Sequence, residues 1–124
     1  MHKTAMVALV LTLGGGMAFA EGDAKAGKKV FKKCKACHSL KEGQNKVGPT
    51  LYGVLGAEAG AVEGFRYSSA LQEAGIVWDD EALSAFLSKP KAFVPGTSMA
   101  FPGLKKQDQI DDLLAYLQSE QSEQ

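Results

Sequence analysis

The chain is poor in the residues that anchor most chemistry. Two cysteines, two histidines, four methionines and one tryptophan occur in 124 residues, and aromatics make up 8%. Cys34 and Cys37 are too few and too close for a disulfide framework. Charge of one sign is lacking as well: 14 Lys+Arg face 14 Asp+Glu, which argues against nucleic acid as the main partner. The length excludes a barrel enzyme or a two-domain dehydrogenase. A single small domain is expected, and because so short a chain buries little surface, a cofactor in its core would help.

An uncharged run, AMVALVLTLGGGMAFA, fills residues 5–20 behind Lys3 and ends in Ala18-Phe19-Ala20, the small-x-small pattern a signal peptidase reads. It contains Gly14, Gly15 and Gly16 and falls short of the roughly 20 residues a spanning helix needs. The run therefore reads as a secretory leader, residues 1–20, cleaved after Ala20 to leave an exported domain of residues 21–124. The leader carries off Met1, Met6, Met17 and His2, so the exported part keeps one histidine, His38, and one methionine, Met99.

Cys34-Lys35-Ala36-Cys37-His38 has the C-x-x-C-H spacing of covalent haem c attachment. Two thiols three positions apart can each add to a haem vinyl group, while the following imidazole is aimed at the iron. A thioredoxin-like thiol pair would need a neighbouring βαβ pattern, which is missing. A structural zinc site would need four ligands, and no second Cys or His pair is present. With His38 as one axial ligand, Met99 is the candidate for the other. It sits in Val94-Pro95-Gly96-Thr97-Ser98-Met99-Ala100-Phe101, read as an extended loop bracketed by Pro90, Pro95 and Pro102. Its alternative role is gap filling in a core. A thioether ligand raises the reduction potential relative to a second nitrogen, and two filled axial positions leave outer-sphere electron transfer.

Hydrophobic periodicity places helices at both ends. Behind Asp23 as cap, Gly27, Val30, Phe31 and Cys34 share one face; Ile110, Leu113, Leu114 and Leu117 do the same behind Asp108, with Tyr116 beside them. Gly27 on an apolar face suggests close approach of another backbone, since glycine costs about 1 kcal/mol against alanine there. Between them, residues 68–74 read as a short helix closing on Gly75, and Asp79 caps another that carries Leu83, Phe86 and Leu87 up to Pro90. No alternating strand run is found, so the fold class is all-α with long loops.

The motif at 34–38, Gly48-Pro49, Trp78, Pro95-Gly96-Thr97 with Met99, and the terminal helix with Leu113 and Tyr116 follow one another in the order of the class I cytochromes c. The chain resembles that bacterial soluble and mitochondrial family over nearly all of residues 22–118. The resemblance implies terminal helices crossing at Gly27, Phe31, Leu113 and Tyr116, and a Pro49 carbonyl that accepts the second imidazole proton of His38. It also implies that Tyr67, Trp78 and Thr97 donate hydrogen bonds to the haem propionates. Where the family offers polar groups for haem tuning, this chain carries Phe86 for a tyrosine, Ala57 for an arginine and Leu71 for an asparagine.

Charge is segregated along the chain. Residues 21–50 carry a net +5, 51–88 carry −5, 89–106 carry +4 and 107–124 carry −5. Both positive blocks bring a candidate iron ligand. Lys33, Lys35, Lys46, Lys89, Lys91, Lys105 and Lys106 would then ring a haem edge and steer it toward acidic partners. The resulting expectation is a monomeric, non-enzymatic, periplasmic one-electron carrier with one haem c. By resemblance it works between a membrane-bound bc-type complex and a terminal oxidase or photosynthetic reaction centre, with no nucleic acid and no small-molecule substrate. A haem peroxidase is the alternative if Met99 does not ligate iron.

Overall fold

A computed structural model describes residues 22–121. The expected leader, its expected cleavage point and residue 21 lie outside these residues. Five helices follow one another: α1 Ala24–Phe31, α2 Ser69–Gln72, α3 Asp80–Ser88, α4 Pro90–Phe93 and α5 Gln107–Gln121. Among the described residues the only extended pairing is an isolated antiparallel bridge, Glu58 to Val77.

Local chemistry starts each of the first three helices. The Asp23 carboxylate accepts from Lys25 N–H, Ser68 Oγ from Leu71 N–H and Asp79 from Ala82 N–H. Each side chain satisfies a backbone donor that the first helical turn leaves over. Pro90 opens α4 at a position where no N–H is needed.

α1 crosses α5, and the contact explains Gly27. A Cβ at Gly27 would run into the Asp112 carbonyl and reach 2.7 Å from Tyr116 Cβ, so only glycine lets the two backbones approach. Phe31 packs its ring 5.5 Å from that of Tyr116. Asp23 N–H donates to Asp112 Oδ1 at 2.8 Å, tying the start of α1 to α5. Ile110, Leu113 and Leu114 are the most buried apolar side chains, and with Phe31, Leu117 and the α3 residues Leu83, Phe86 and Leu87 they form one core. Full burial of such side chains contributes about 1.5–3 kcal/mol each.

Three boundaries differ from the sequence expectation. α1 ends at Phe31, and the attachment motif follows in turns tightened by Cys34 N–H to Phe31 O and Cys37 N–H to Cys34 O bonds. α2 stops at Gln72 rather than continuing to Ala74. α4 fills the gap between Pro90, where the preceding helix was expected to end, and the loop expected from Val94, one turn started by Pro90 and too short for any periodicity to reveal.

Candidate haem site

Cys34, half-buried, and Cys37, exposed, are both free thiols. Burial first, then the neighbouring Cys37, pushes the Cys34 thiol up to about 11, against a smaller opposing effect of Lys33. A redox thiol pair requires the opposite, a stabilised thiolate. The geometry instead offers two free thiols three positions apart, in the turns that follow α1.

His38 comes next and is held from two sides. Its Nδ1 meets the Pro49 carbonyl at 2.7 Å. As a carbonyl can only accept, Nδ1 carries the proton and Nε2 keeps its lone pair free. Burial is the main cause lowering the pKa of His38, partly offset by the Pro49 bond, a shift that favours the neutral ring a metal ligand must present. On the flat side of the ring stands Gly48, where a Cβ would come within 2.8 Å of Nδ1 and 2.9 Å of Nε2.

The turn that presents Pro49 is braced by residues that sequence reasoning missed. Buried Thr50 donates through Oγ1 to the Lys41 carbonyl at 2.6 Å, and its N–H donates to Asn45 Oδ1 at 2.9 Å. Gly48 N–H donates to the Cys37 carbonyl at 2.7 Å, stitching this turn to the attachment motif. The signal was faint: one threonine and one asparagine in a turn-rich stretch have no periodicity.

Met99 is half-buried against the core, with Leu51, Val54, Leu71 and Phe101 in the same condition. Its N–H donates to Thr97 Oγ1 at 3.3 Å, and Gly96, at φ +90°, lays the loop against Ala70 of α2. Trp78 is buried, 5.0 Å from the Phe86 ring, and its backbone pairs with Ala57 and Gly56. Tyr67 lies in a different setting: its hydroxyl accepts from Val62 N–H at 3.0 Å, and it lines an open recess of about 510 Å³ together with Ser98. The structure thus gathers Cys34, Cys37, His38 and Pro49 into one unit and places Thr97 and Met99 in one loop. Tyr67 joins that loop across the recess, while Trp78 belongs to the core beside Phe86.

These residues fit a haem. Two thiols, a neutral imidazole with its distal nitrogen free, and half-buried apolar side chains with area still to cover are the donor set and lining that a large planar apolar group with a central iron requires.

An all-α fold with crossing terminal helices, built around a C-x-x-C-H turn whose histidine is fixed by a proline carbonyl, defines a c-type cytochrome of class I. The chain belongs to the cytochrome c family: the family model for cytochrome c matches residues 24–121. Cytochrome c of Stellaria longipes is 49% identical over 104 residues, covering 82% of this chain and 96% of the relative. Cytochrome c-550 of Nitrobacter winogradskyi is 50% identical over 97 residues, covering 77% and 89%. Among solved structures, cytochrome cH from Methylobacterium extorquens superposes with a TM-score of 0.75 at 48% identity, covering 79% of this chain and 99% of that one. The cofactor is covalently bound haem c, and the protein is a haem c electron carrier.

Proposed function

We propose that His38 and Met99 are the two axial ligands and that the domain of residues 21–124, exported after cleavage behind Ala20, works as a periplasmic one-electron carrier. The observation that carries this reading is the 2.7 Å bond from His38 Nδ1 to the Pro49 carbonyl, which leaves Nε2 as the only nitrogen able to bind metal. Haem c supplies a one-electron iron couple. Cys34 and Cys37 hold the group to the chain as thioethers. The Pro49 bond fixes the ring plane and raises the basicity of His38. Met99, a soft thioether in the 94–101 loop, would hold the iron together with His38, favour the reduced metal and exclude peroxide. Tyr67, Trp78 and Thr97 offer hydrogen-bond donors to the propionates.

Lys33, Lys35, Lys89, Lys91, Lys105 and Lys106 are exposed, and Lys46 reaches across the motif to donate to the Lys35 carbonyl at 2.6 Å. This positive surface suits acidic faces of membrane redox complexes, a bc-type donor and an oxidase or photosynthetic reaction centre as acceptor. Among the described residues no helix is long and apolar enough to cross a membrane.

The test is an intact mass joined to visible and near-infrared spectra in both oxidation states. The expected result is one haem added to a chain beginning at Glu21, with the near-infrared band of thioether bound to ferric iron. Absence of that band, with carbon monoxide uptake by the native ferrous protein, would replace the carrier with a peroxidase-type enzyme.

A further inference from the structure

The last turn of α5 makes a connection that no helical period reveals. Tyr116 and Leu117 are buried, which anchors the helix close to its end, and Ser119 Oγ donates to the Tyr116 carbonyl at 2.7 Å. One turn further on, the Gln121 side chain leaves the helix and meets Leu55 N–H at 2.9 Å, 66 positions back along the chain. A backbone N–H can only donate, so the atom facing it is the amide oxygen Oε1, and the contact is partly buried.

Leu55 sits in a loop with few other ties. Residues 51–57, Leu-Tyr-Gly-Val-Leu-Gly-Ala, carry no charge, and Gly53 and Gly56 stand at φ +69° and +82°. Backbone bonds hold the two ends: Leu51 N–H donates to the Ser39 carbonyl and Gly56 N–H to that of Trp78, each at 2.8 Å. Among the described residues, Gln121 is the only helix side chain that reaches the loop between these ends by a hydrogen bond. Without it, Leu55 N–H would be a half-buried donor with no protein acceptor, and such a group draws in water.

Leu51 and Val54 of the same loop belong, with Met99, Leu71 and Phe101, to the partly covered apolar lining that fits a haem. We propose that Gln121 is a positioning residue for electron transfer: by latching Leu55 it holds Leu51 and Val54 in that lining, keeps water from this side of the bound haem c and thereby keeps the reduction potential up. The inference rests on bound haem c alone and is independent of which side chain fills the second axial position. The ferric state carries one more positive charge than the ferrous, so water favours it, and an apolar wall does the opposite. The latch is a single hydrogen bond of small net worth, so its loss loosens the loop without unfolding the domain.

The experiment compares wild type, Gln121→Leu and Gln121→Glu as haem-loaded proteins, with haem mass checked in each. Leucine keeps the bulk and the helix propensity but has no acceptor, whereas glutamate restores an oxygen at the same reach. In Gln121→Leu the Leu55 amide should exchange its hydrogen about three- to tenfold faster, while the amides of buried Leu113 and Leu114 stay as in wild type. At a fixed solution potential the ferric-to-ferrous ratio of this variant should rise about two- to threefold. Gln121→Glu should return the Leu55 amide to wild-type protection; exchange alone is compared there, because a new charge acts on the couple directly. An unchanged Leu55 amide in Gln121→Leu, or faster exchange spread evenly over α5 and the loop, would overturn the latch. A faster Leu55 amide beside a potential equal to wild type would overturn its role in the couple. Neither readout uses the near-infrared thioether band, so loss of the Met99 assignment and loss of this one are separate results.

Discussion

At the scale of single residues, the site is governed by what stands against the His38 ring. Gly48 is placed so that even one methyl group would sit 2.8 Å from Nδ1, the same nitrogen that is tied to Pro49, so the ring cannot move away without straining that bond. Gly48→Ala is therefore expected to rotate the imidazole, lengthen its bond to Pro49 and cost about 1–3 kcal/mol, as overpacking does. Thermal melting of the holoprotein measures the loss, and a melting point equal to wild type would refute it. Met99→Ala tests the other proposed ligand. It removes the only methionine after residue 20, so no other thioether of the proposed exported domain can take its place. The expected outcome is loss of the near-infrared band, a lower potential and new peroxide reactivity, whereas Phe86→Tyr, a change beside Trp78, leaves the band in place. The legible part of the site is the covalent haem attachment, because thiols and imidazole are rare in this chain and so stand out; Met99 stands out as the proposed second ligand for the same reason. Asn45 and Thr50 were illegible for the converse reason: their roles come from a turn that exists only once residues 39–50 have folded.

At the scale of elements, the two terminal helices were readable from periodicity because each buries a continuous apolar stripe, and Gly27 even announced the crossing. The turn after Phe31, the early stop of α2 and the single-turn α4 were not. Each is fixed by one or two backbone bonds or by Pro90, and none spans enough residues for a 3.6-residue period to emerge. The loops between Leu40 and Ser68 are shaped likewise by local turns, with Gly43, Gly53, Gly56, Gly60 and Gly64 at positive φ. The crossing gives the sharpest test at this scale. Alanine at Gly27 would gain about 1 kcal/mol in helix propensity, yet its Cβ would strike the Asp112 carbonyl, which is backbone in the middle of α5 and cannot swing aside. Collision outweighs propensity, and the larger Gly27→Val change should cost about 3 kcal/mol or more by separating α1 from α5. Denaturant titration reads the change, with the Asp23 to Asp112 bond lost and the amides at the start of α1 exchanging faster. A Gly27→Val protein as stable as wild type would mean that α1 and α5 do not meet at this point.

For the whole molecule, the decisive feature is where the charges fall relative to the ligands. α5 carries no base between Gln107 and Gln121, while the segments that deliver His38 and Met99 carry +5 and +4. In the proposed carrier, lysines gathered around the haem edge would give a chain with 14 charges of each sign a long-range dipole, which orients an encounter before any contact forms. Screening decides how far this reaches. At 0.01 M salt the Debye length is about 30 Å, comparable to the molecule, whereas at 0.15 M it shrinks to about 8 Å and only the lysines nearest the contact are felt. The association rate with an acidic redox partner should accordingly fall by about tenfold or more across that range, while the electron-transfer rate inside the formed complex stays nearly constant. Stopped-flow or flash-induced oxidation at several salt concentrations separates the two quantities. Neutralising Lys89 and Lys91 to glutamine should flatten the slope; the same change at Lys25 and Lys28, on the outward face of α1, should leave it close to wild type. Equal effects from the two pairs, or a rate indifferent to salt, would place the partner somewhere other than the positive face.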